Sequence, residues 1–216
     1  MIFITADTHG ELERLTDKKL KFIKKFDTLI VLGDFGFVWS GDRQQEKNLK
    51  KISKLPFKVL FIDGYNENFK ALEQYPDTVY RGAQAKEICP GQVYYIKRGE
   101  VLEIDDMKLL CFGGADDYID DVFSDYPPSN ADFERCNANM ERHNWKVDYI
   151  LTHSPSGNIN RFLNMDSFTF GKLFDYFDTL AEKADYKKWY FGFCHKDKYV
   201  SSKVQAVYTD VYQLGD

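Results

Sequence analysis

No stretch of this chain reaches the roughly 20 consecutive apolar residues that a membrane-spanning helix needs. The opening MIFIT is too short for the apolar core of a secretion signal, so a cytoplasmic protein is expected. Cysteine is scarce, and Cys89, Cys111, Cys136 and Cys194 show no paired C-x-x-C spacing. That pattern gives no support to a disulfide scaffold and encodes no zinc knuckle. A basic block is missing too: 29 Lys and Arg are interspersed with 34 Asp and Glu, for a net charge of −5. Such a balance carries no strong nucleic-acid-binding signal and no membrane-surface signal. It leaves room for a nucleotide substrate, because bound metal ions supply positive charge locally. No repeat, low-complexity tract or linker is present, and 216 residues suffice for one domain with a full core.

What the chain does have is aromatic residues, at 16%, and short apolar runs separated by helical patterns. Residues 1–6, 28–32 and 57–62 read as buried strands. Between them, residues 11–26 place Leu12, Leu15, Phe22, Ile23 and Phe26 on one helical face, and residues 42–54 form a polar helix carrying Leu49 and Ile52. A short helix is expected over 67–73. This alternation implies parallel strands with crossover helices. Residues 93–97, 101–104 and 108–112 read as consecutive strands of an antiparallel meander, the last two joined through Asp105-Asp106. An exposed loop is expected over 116–130, and then a helix to about residue 144 capped by Asn130 or Asp132. Strands at 147–151 and 188–191, a helix over 169–184 and a closing hairpin at 199–201 and 204–208 complete the reading. The expected fold class is α/β, two packed mixed sheets flanked by helices.

Five of the apolar runs end in residues able to ligate a metal: Asp7 and His9, Asp34, Asn66, His153, and Cys194-His195. Strands stopping there would bring carboxylates and imidazoles to one rim of a sheet, as a hydrolytic divalent-metal site requires. Each residue also has an ordinary structural role open to it. Asp7 can cap a helix, Asp34 can make an Asx turn beside Gly33, and His153 can be a hydrogen-bonded structural histidine. His195 follows Gly192, which opens the backbone just before it. His143, in the charged ERHNW segment, reads as a surface residue.

Taken in order, the segments Asp7-x-His9, Gly33-Asp34, Gly64-Tyr65-Asn66-Glu67, His153 and Gly192-Phe193-Cys194-His195 resemble the calcineurin-like metallophosphoesterase family. That family's signature runs D-x-H, G-D, G-N-H-E or G-N-H-D, a lone H, and G-H-x-H. The resemblance spans nearly the whole chain, and GDFGFVW, IDGYNENF and NWKVDYILTH look like a small bacterial or phage branch. It implies a four-layer α-β-β-α sandwich and hydrolysis of phosphate mono- or diesters, nucleotides among them, by in-line attack of a metal-activated hydroxide.

By the same resemblance, one metal is held by Asp7, His9, Asp34 and His195. Such a donor set suits Mn²⁺, Fe or Zn²⁺ better than Ca²⁺. A second metal would share Asp34 and use His153, but its Asn position holds Tyr65 and its G-H position holds Phe193, which has no donor atom. Asn66 stands where the family has the histidine that protonates the leaving group, so Asn66 and His153 are the candidate catalytic residues. Three alternatives stay open for the second site: Asn66 slips one position to ligate, Tyr65 ligates as a phenolate, or the site is weak or empty. The expectation is a slow phosphoesterase with one tight and one weak metal; the rival is a binding or scaffold protein that kept the fold and lost the chemistry.

Overall fold

The computed structural model describes residues 1–115, 127–165 and 171–215. In chain order its elements are β1 (Ile2–Thr5), α1 (Glu13–Thr16), β2 (Thr28–Leu32), α2 (Arg43–Ile52), β3 (Lys58–Ile62), α3 (Phe69–Leu72), β4 (Asp77–Tyr80), β5 (Ala83–Cys89) and β6 (Val93–Ile96). There follow β7 (Glu100–Ile104), β8 (Met107–Phe112), α4 (Asn130–Arg142), β9 (Tyr149–Thr152), α5 (Gly157–Phe162) and α6 (Lys172–Lys183). The chain closes with β10 (Lys188–Phe191), β11 (Lys198–Ser201), β12 (Val204–Ala206) and β13 (Tyr212–Gln213). Among the described residues, no helix is long and apolar enough to cross a membrane.

The strands form two mixed sheets, ordered β13-β1-β2-β3-β6-β5-β4 and β11-β12-β10-β9-β8-β7. Period-two alternation explains how they pack. Ile2, Ile4, Ile30, Leu32, Leu60 and Ile62 of the first sheet meet Leu109, Cys111, Tyr149, Leu151 and Tyr190 of the second in one buried layer. The intervening positions Phe3, Leu29, Val31, Val59 and Phe61 face Leu15, Leu49, Ile52 and Leu72 on the helical side. On the opposite outside, Leu110, Phe112, Ile150, Trp189 and Phe191 pack against Phe133, Cys136 and Met140 of α4 and Leu173, Phe177 and Leu180 of α6. The result is the four-layer α-β-β-α arrangement expected from the sequence. Strands β1, β2 and β3 run parallel in one sheet and β8, β9 and β10 in the other, so their C-terminal ends form two facing rims.

Several local expectations are corrected. Residues 11–26 are not one helix. After α1, Asp17 turns extended (ψ 144°) and its carboxylate accepts from the Lys19 N–H at 2.8 Å, starting a separate 3-10 turn at Lys18–Leu20. Leu15 and Ile23 stay buried while Phe22 and Phe26 are exposed. The expected three-stranded meander is only the β7-β8 hairpin, turning through Asp105 and Asp106 with φ of 51° and 61°. β6 belongs to the other sheet, parallel to β3, and the chain changes sheets after it. The β4-β5 hairpin, turning through Arg81-Gly82, was not anticipated because Arg is an unusual residue for a left-handed turn position. α4 is capped by Ser129 in a capping box with Asp132, not by Asn130 or Asp132. α5 and β13 also went unforeseen, and most of the expected 116–130 loop lies outside the described residues.

One buried ion pair fixes the loop after β3. Arg98 donates through Nε and Nη2 to Asp63 Oδ2 at 2.8 and 2.7 Å, and Tyr95 Oη donates to Oδ1 at 2.8 Å. Removing one partner of such a pair leaves a buried charge and typically costs about 3–5 kcal/mol. Arg98→Met should therefore destabilise the fold by about that amount in urea titration. Adding Asp63→Asn should recover part of the loss, because the orphaned charge is then gone.

Candidate metal centre

Asp7, Asp34, His153 and His195 each follow the end of a parallel strand, respectively β1, β2, β9 and β10. The two rims therefore bring residues nearly two hundred positions apart into contact. His9 Nδ1 lies 3.8 Å from Asp34 Oδ2, and the other oxygen of Asp34 lies 4.0 Å from His153 Nε2. His153 Nδ1 is 3.4 Å from Asp7 Oδ1, and Asp7 Oδ2 is 3.9 Å from His195 Nε2. The circuit closes where His195 Nε2 meets His9 Nε2 at 3.2 Å. Each carboxylate thus addresses two different imidazoles.

Two groups of three donors fall within 4.8 Å of one another: His9, Asp34 and His195, and Asp7, Asp34 and His153. Asp34 is common to both. The sequence reading placed Asp7 with His9 and His195; the donor groups set it with Asp34 and His153 instead, with its second oxygen still turned to His195. Asp7 does not cap a helix. Its carboxylate is fully buried and, among the described residues, neither oxygen has a hydrogen-bond partner. A buried, unbonded carboxylate is strongly disfavoured unless positive charge compensates it.

The backbone at these positions is unusual. Asp7, His9, Asp34 and His195 have φ of 47–49°, and Phe193 has 66°. Left-handed non-glycine residues each cost on the order of 1 kcal/mol or more and persist only where the surroundings over-determine them. Close approach accounts for two of the motif glycines: a side chain at Gly33 would run into the His153 ring, and one at Gly64 into the Asp34 carboxylate. His153 reaches its place by strand alternation, since Tyr149 and Leu151 face the inter-sheet layer and the next residue in that phase is 153.

Supporting contacts lock each group. His153 Nδ1 is 3.2 Å from the Leu32 carbonyl while, among the described residues, its Nε2 has no hydrogen-bond partner, so in the neutral form donation to Leu32 leaves the Nε2 lone pair facing Asp34. Burial alone would push this imidazole down; the Asp34 and Asp7 carboxylates outweigh it and lift its pKa to about 9. Burial likewise pushes Asp34 up, but His153, two hydrogen bonds from Asn66 and His9 hold it below its ordinary value. Those bonds run from the Asn66 backbone N–H to Oδ1 at 2.6 Å and from its Nδ2 to Oδ2 at 2.9 Å. As placed, Asn66 therefore turns its amide nitrogen, not its oxygen, to the cluster. Phe193 sets its ring edge-on to His153, centroids 5.6 Å apart. His143 takes no part; it ends α4, 4.0 Å from Glu103.

Two supports lie in the quoted motif segments, but their roles are visible only in the structure. Phe35, next to Asp34, stacks on Phe61 of β3 at 4.1 Å, pinning the turn to the sheet. Glu67 is buried and its Oε1 accepts from the Phe35 N–H at 2.6 Å, tying the loop after β3 to the loop after β2.

No family model and no curated protein matches the chain. Among solved structures, it is similar to the crystal structure of phosphopantetheinyl hydrolase (PptH) from Mycobacterium tuberculosis. That match has 15% identity, covers 96% of this chain and 89% of the other, and has a TM-score of 0.41.

Burial, followed by the charges of Asp34 and Asp63, pushes the Glu67 carboxyl well above its usual range. A carboxyl raised on folding stays protonated in the native state where the unfolded chain has already lost its proton. Its contribution is greatest below the unfolded value of about 4.3 and declines as pH rises towards the folded one. Glu67→Gln keeps an acceptor for Phe35 and cannot ionise. In urea titrations of the metal-free chain from about pH 4.5 to 7, this variant should lose less stability with rising pH than the parent.

Proposed function

We propose that this chain is a metal-dependent phosphoesterase of the calcineurin-like type. The observation that carries the reading is the Asp7 carboxylate, buried with both oxygens unbonded between His153 and His195. Carboxylate and imidazole donors in this number suit Mn²⁺, Fe or Zn²⁺. His9, Asp34 and His195, with the second oxygen of Asp7 near His195, would hold the tighter ion. Asp34, Asp7 and His153 would hold a weaker one, because Phe193 offers no donor and the Asn66 amide is engaged with Asp34. When bound, such an ion lowers the pKa of a coordinated water from about 15.7 towards 7 and neutralises phosphoryl charge.

The chain's own residues do the rest. Asn66 holds Asp34 by both its backbone and its side chain, fixing the carboxylate that the two groups share. Leu32 fixes the His153 tautomer. Asn66 has no proton to give at neutral pH, so a leaving group must depart without general-acid help, which is worth roughly 10²–10⁴-fold. This favours diesters and activated leaving groups such as aryl phosphates over alkyl monoesters. The rival reading, a binding protein on the same fold, draws on Phe193 packed against His153.

Metal analysis after dialysis separates the two: at least one tightly held divalent ion per chain is expected, and less than one favours the binding protein. Asp34→Asn should lower both affinity and aryl-diester turnover beyond the roughly 10- to 100-fold that loss of an outer-sphere partner brings. In the double variant Asn66→His with Phe193→His, turnover of an alkyl phosphate monoester should rise about 100-fold or more, narrowing its gap to an aryl diester. No gain would reject the account of the altered positions.

A further inference from the structure

The chain returns from the second sheet to the first between β12 and β13, and Tyr208 lies in that crossing. Its ring is stacked on the His195 imidazole, centroids 4.9 Å apart and planes 17° from parallel. The Arg14 guanidinium lies 5.1 Å from the centroid of the same ring. Arg14 also donates through Nη2 to the Tyr208 and Ala6 carbonyls, at 2.6 and 2.8 Å, and through Nη1 to the Asp7 carbonyl at 3.2 Å. The Tyr208 carbonyl further accepts from Thr5 Oγ1 at 3.0 Å and the Ala6 N–H at 3.3 Å. Two residues beyond His195, the Asp197 carboxylate accepts from the N–H groups of Tyr208, Thr209 and Asp210 at 2.8, 2.9 and 3.2 Å. The strand end carrying Asp7, the turn carrying His195 and the C-terminal crossing are thus tied together at one residue.

His195 needs such support. Its side chain is 51% exposed and its backbone is left-handed. A histidine ligand is ordinarily oriented by a hydrogen bond from its other ring nitrogen to a carboxylate or carbonyl. Among the described residues, no such acceptor is bonded to His195 Nδ1. We infer that Tyr208 is a positioning residue: its ring, clamped by Arg14 and Asp197, takes the place of that hydrogen bond and directs His195 Nε2 towards the ion. This rests on the metal-binding reading above. The support uses the ring and backbone of Tyr208, so phenylalanine should substitute for it and an aliphatic residue should not.

Co²⁺ titration of the full chain, followed by visible absorption, tests the inference. Tyr208→Phe should bind within about twofold of the parent, whereas Tyr208→Leu should bind about 10- to 100-fold more weakly with an altered ligand-field spectrum. In a His195→Ala background, Tyr208→Leu should have no further effect, because the two changes then remove the same ligand. Arg14→Lys keeps the charge but loses the planar fork, and should shift affinity in the same direction, which keeps the test open if Tyr208→Leu does not fold. Unchanged affinity in Tyr208→Leu, or in Arg14→Lys where the leucine variant does not fold, overturns the inference and leaves the metal reading standing. An equal loss with and without His195 does the same. A parent chain that takes up no Co²⁺ overturns both.

Discussion

Two carboxylates taken out of water set the terms for this structure. Asp7 and Asp34 are buried, yet among the described residues Asp7 has no hydrogen-bond donor at either oxygen. Desolvating an unpaired carboxylate costs several kcal/mol, and the facing imidazoles offset it only when they carry a proton or hold a cation. The lifted pKa of His153 is one sign of that demand, met by a proton. The same demand can be met by a cation, and proton and cation then compete for one lone pair. The left-handed backbone at Asp7, His9, Asp34 and His195 points the same way, since the surrounding structure holds strain to keep these donors converged.

Convergence follows from the way the sheets are stacked. The layer of Ile4, Leu32, Ile62, Leu109 and Leu151 packs the two parallel strand sets against each other, so their C-terminal rims face one another. Rigid strands end just before each donor, and the short loops beyond them are tied across the rim. Glu67 joins the loop after β3 to the turn after β2, Phe35 stacks on Phe61, and Arg98 holds Asp63. Sites supported this way keep their geometry better than sites on free loops. The departures Asn66 and Phe193 sit inside this frame without breaking it: one donates to Asp34, the other packs on His153. Under the proposed function their effect falls on leaving-group preference and second-ion affinity, with the scaffold left intact.

Much of the layered plan was legible in residue order. Strands β2, β3 and β10 were readable because their apolar runs are short, β-branched or aromatic, and bounded by turn residues. The helix α2 was readable from Leu49 and Ile52 in a polar segment, while Asp42, read as its first residue, is its N-cap. The failures have physical causes. Residues 11–26 carry a helical pattern, but Asp17 bonds to the backbone two residues on and offers the chain a competing turn. The strand β6 looks like its neighbours β7 and β8, and only its partners, β3 and β5, say which sheet it joins. At the candidate site, the donor types and their strand-end positions were visible, while the structural roles open to Asp7 and His153 were not separable from ligation.

The sequence by itself determined the chemistry on offer, because side-chain identity, strand periodicity and the glycines next to His9 and Asp34 are local properties. It determined that carboxylates and imidazoles would stand at strand ends. Only the tertiary structure decided that Asp7 faces both His153 and His195, that Asn66 presents nitrogen to Asp34, and that Tyr208 lies over His195. Those relations join residues as distant as Asp7 and His195. They arise from the stacking of two sheets, and no spacing along the chain encodes them.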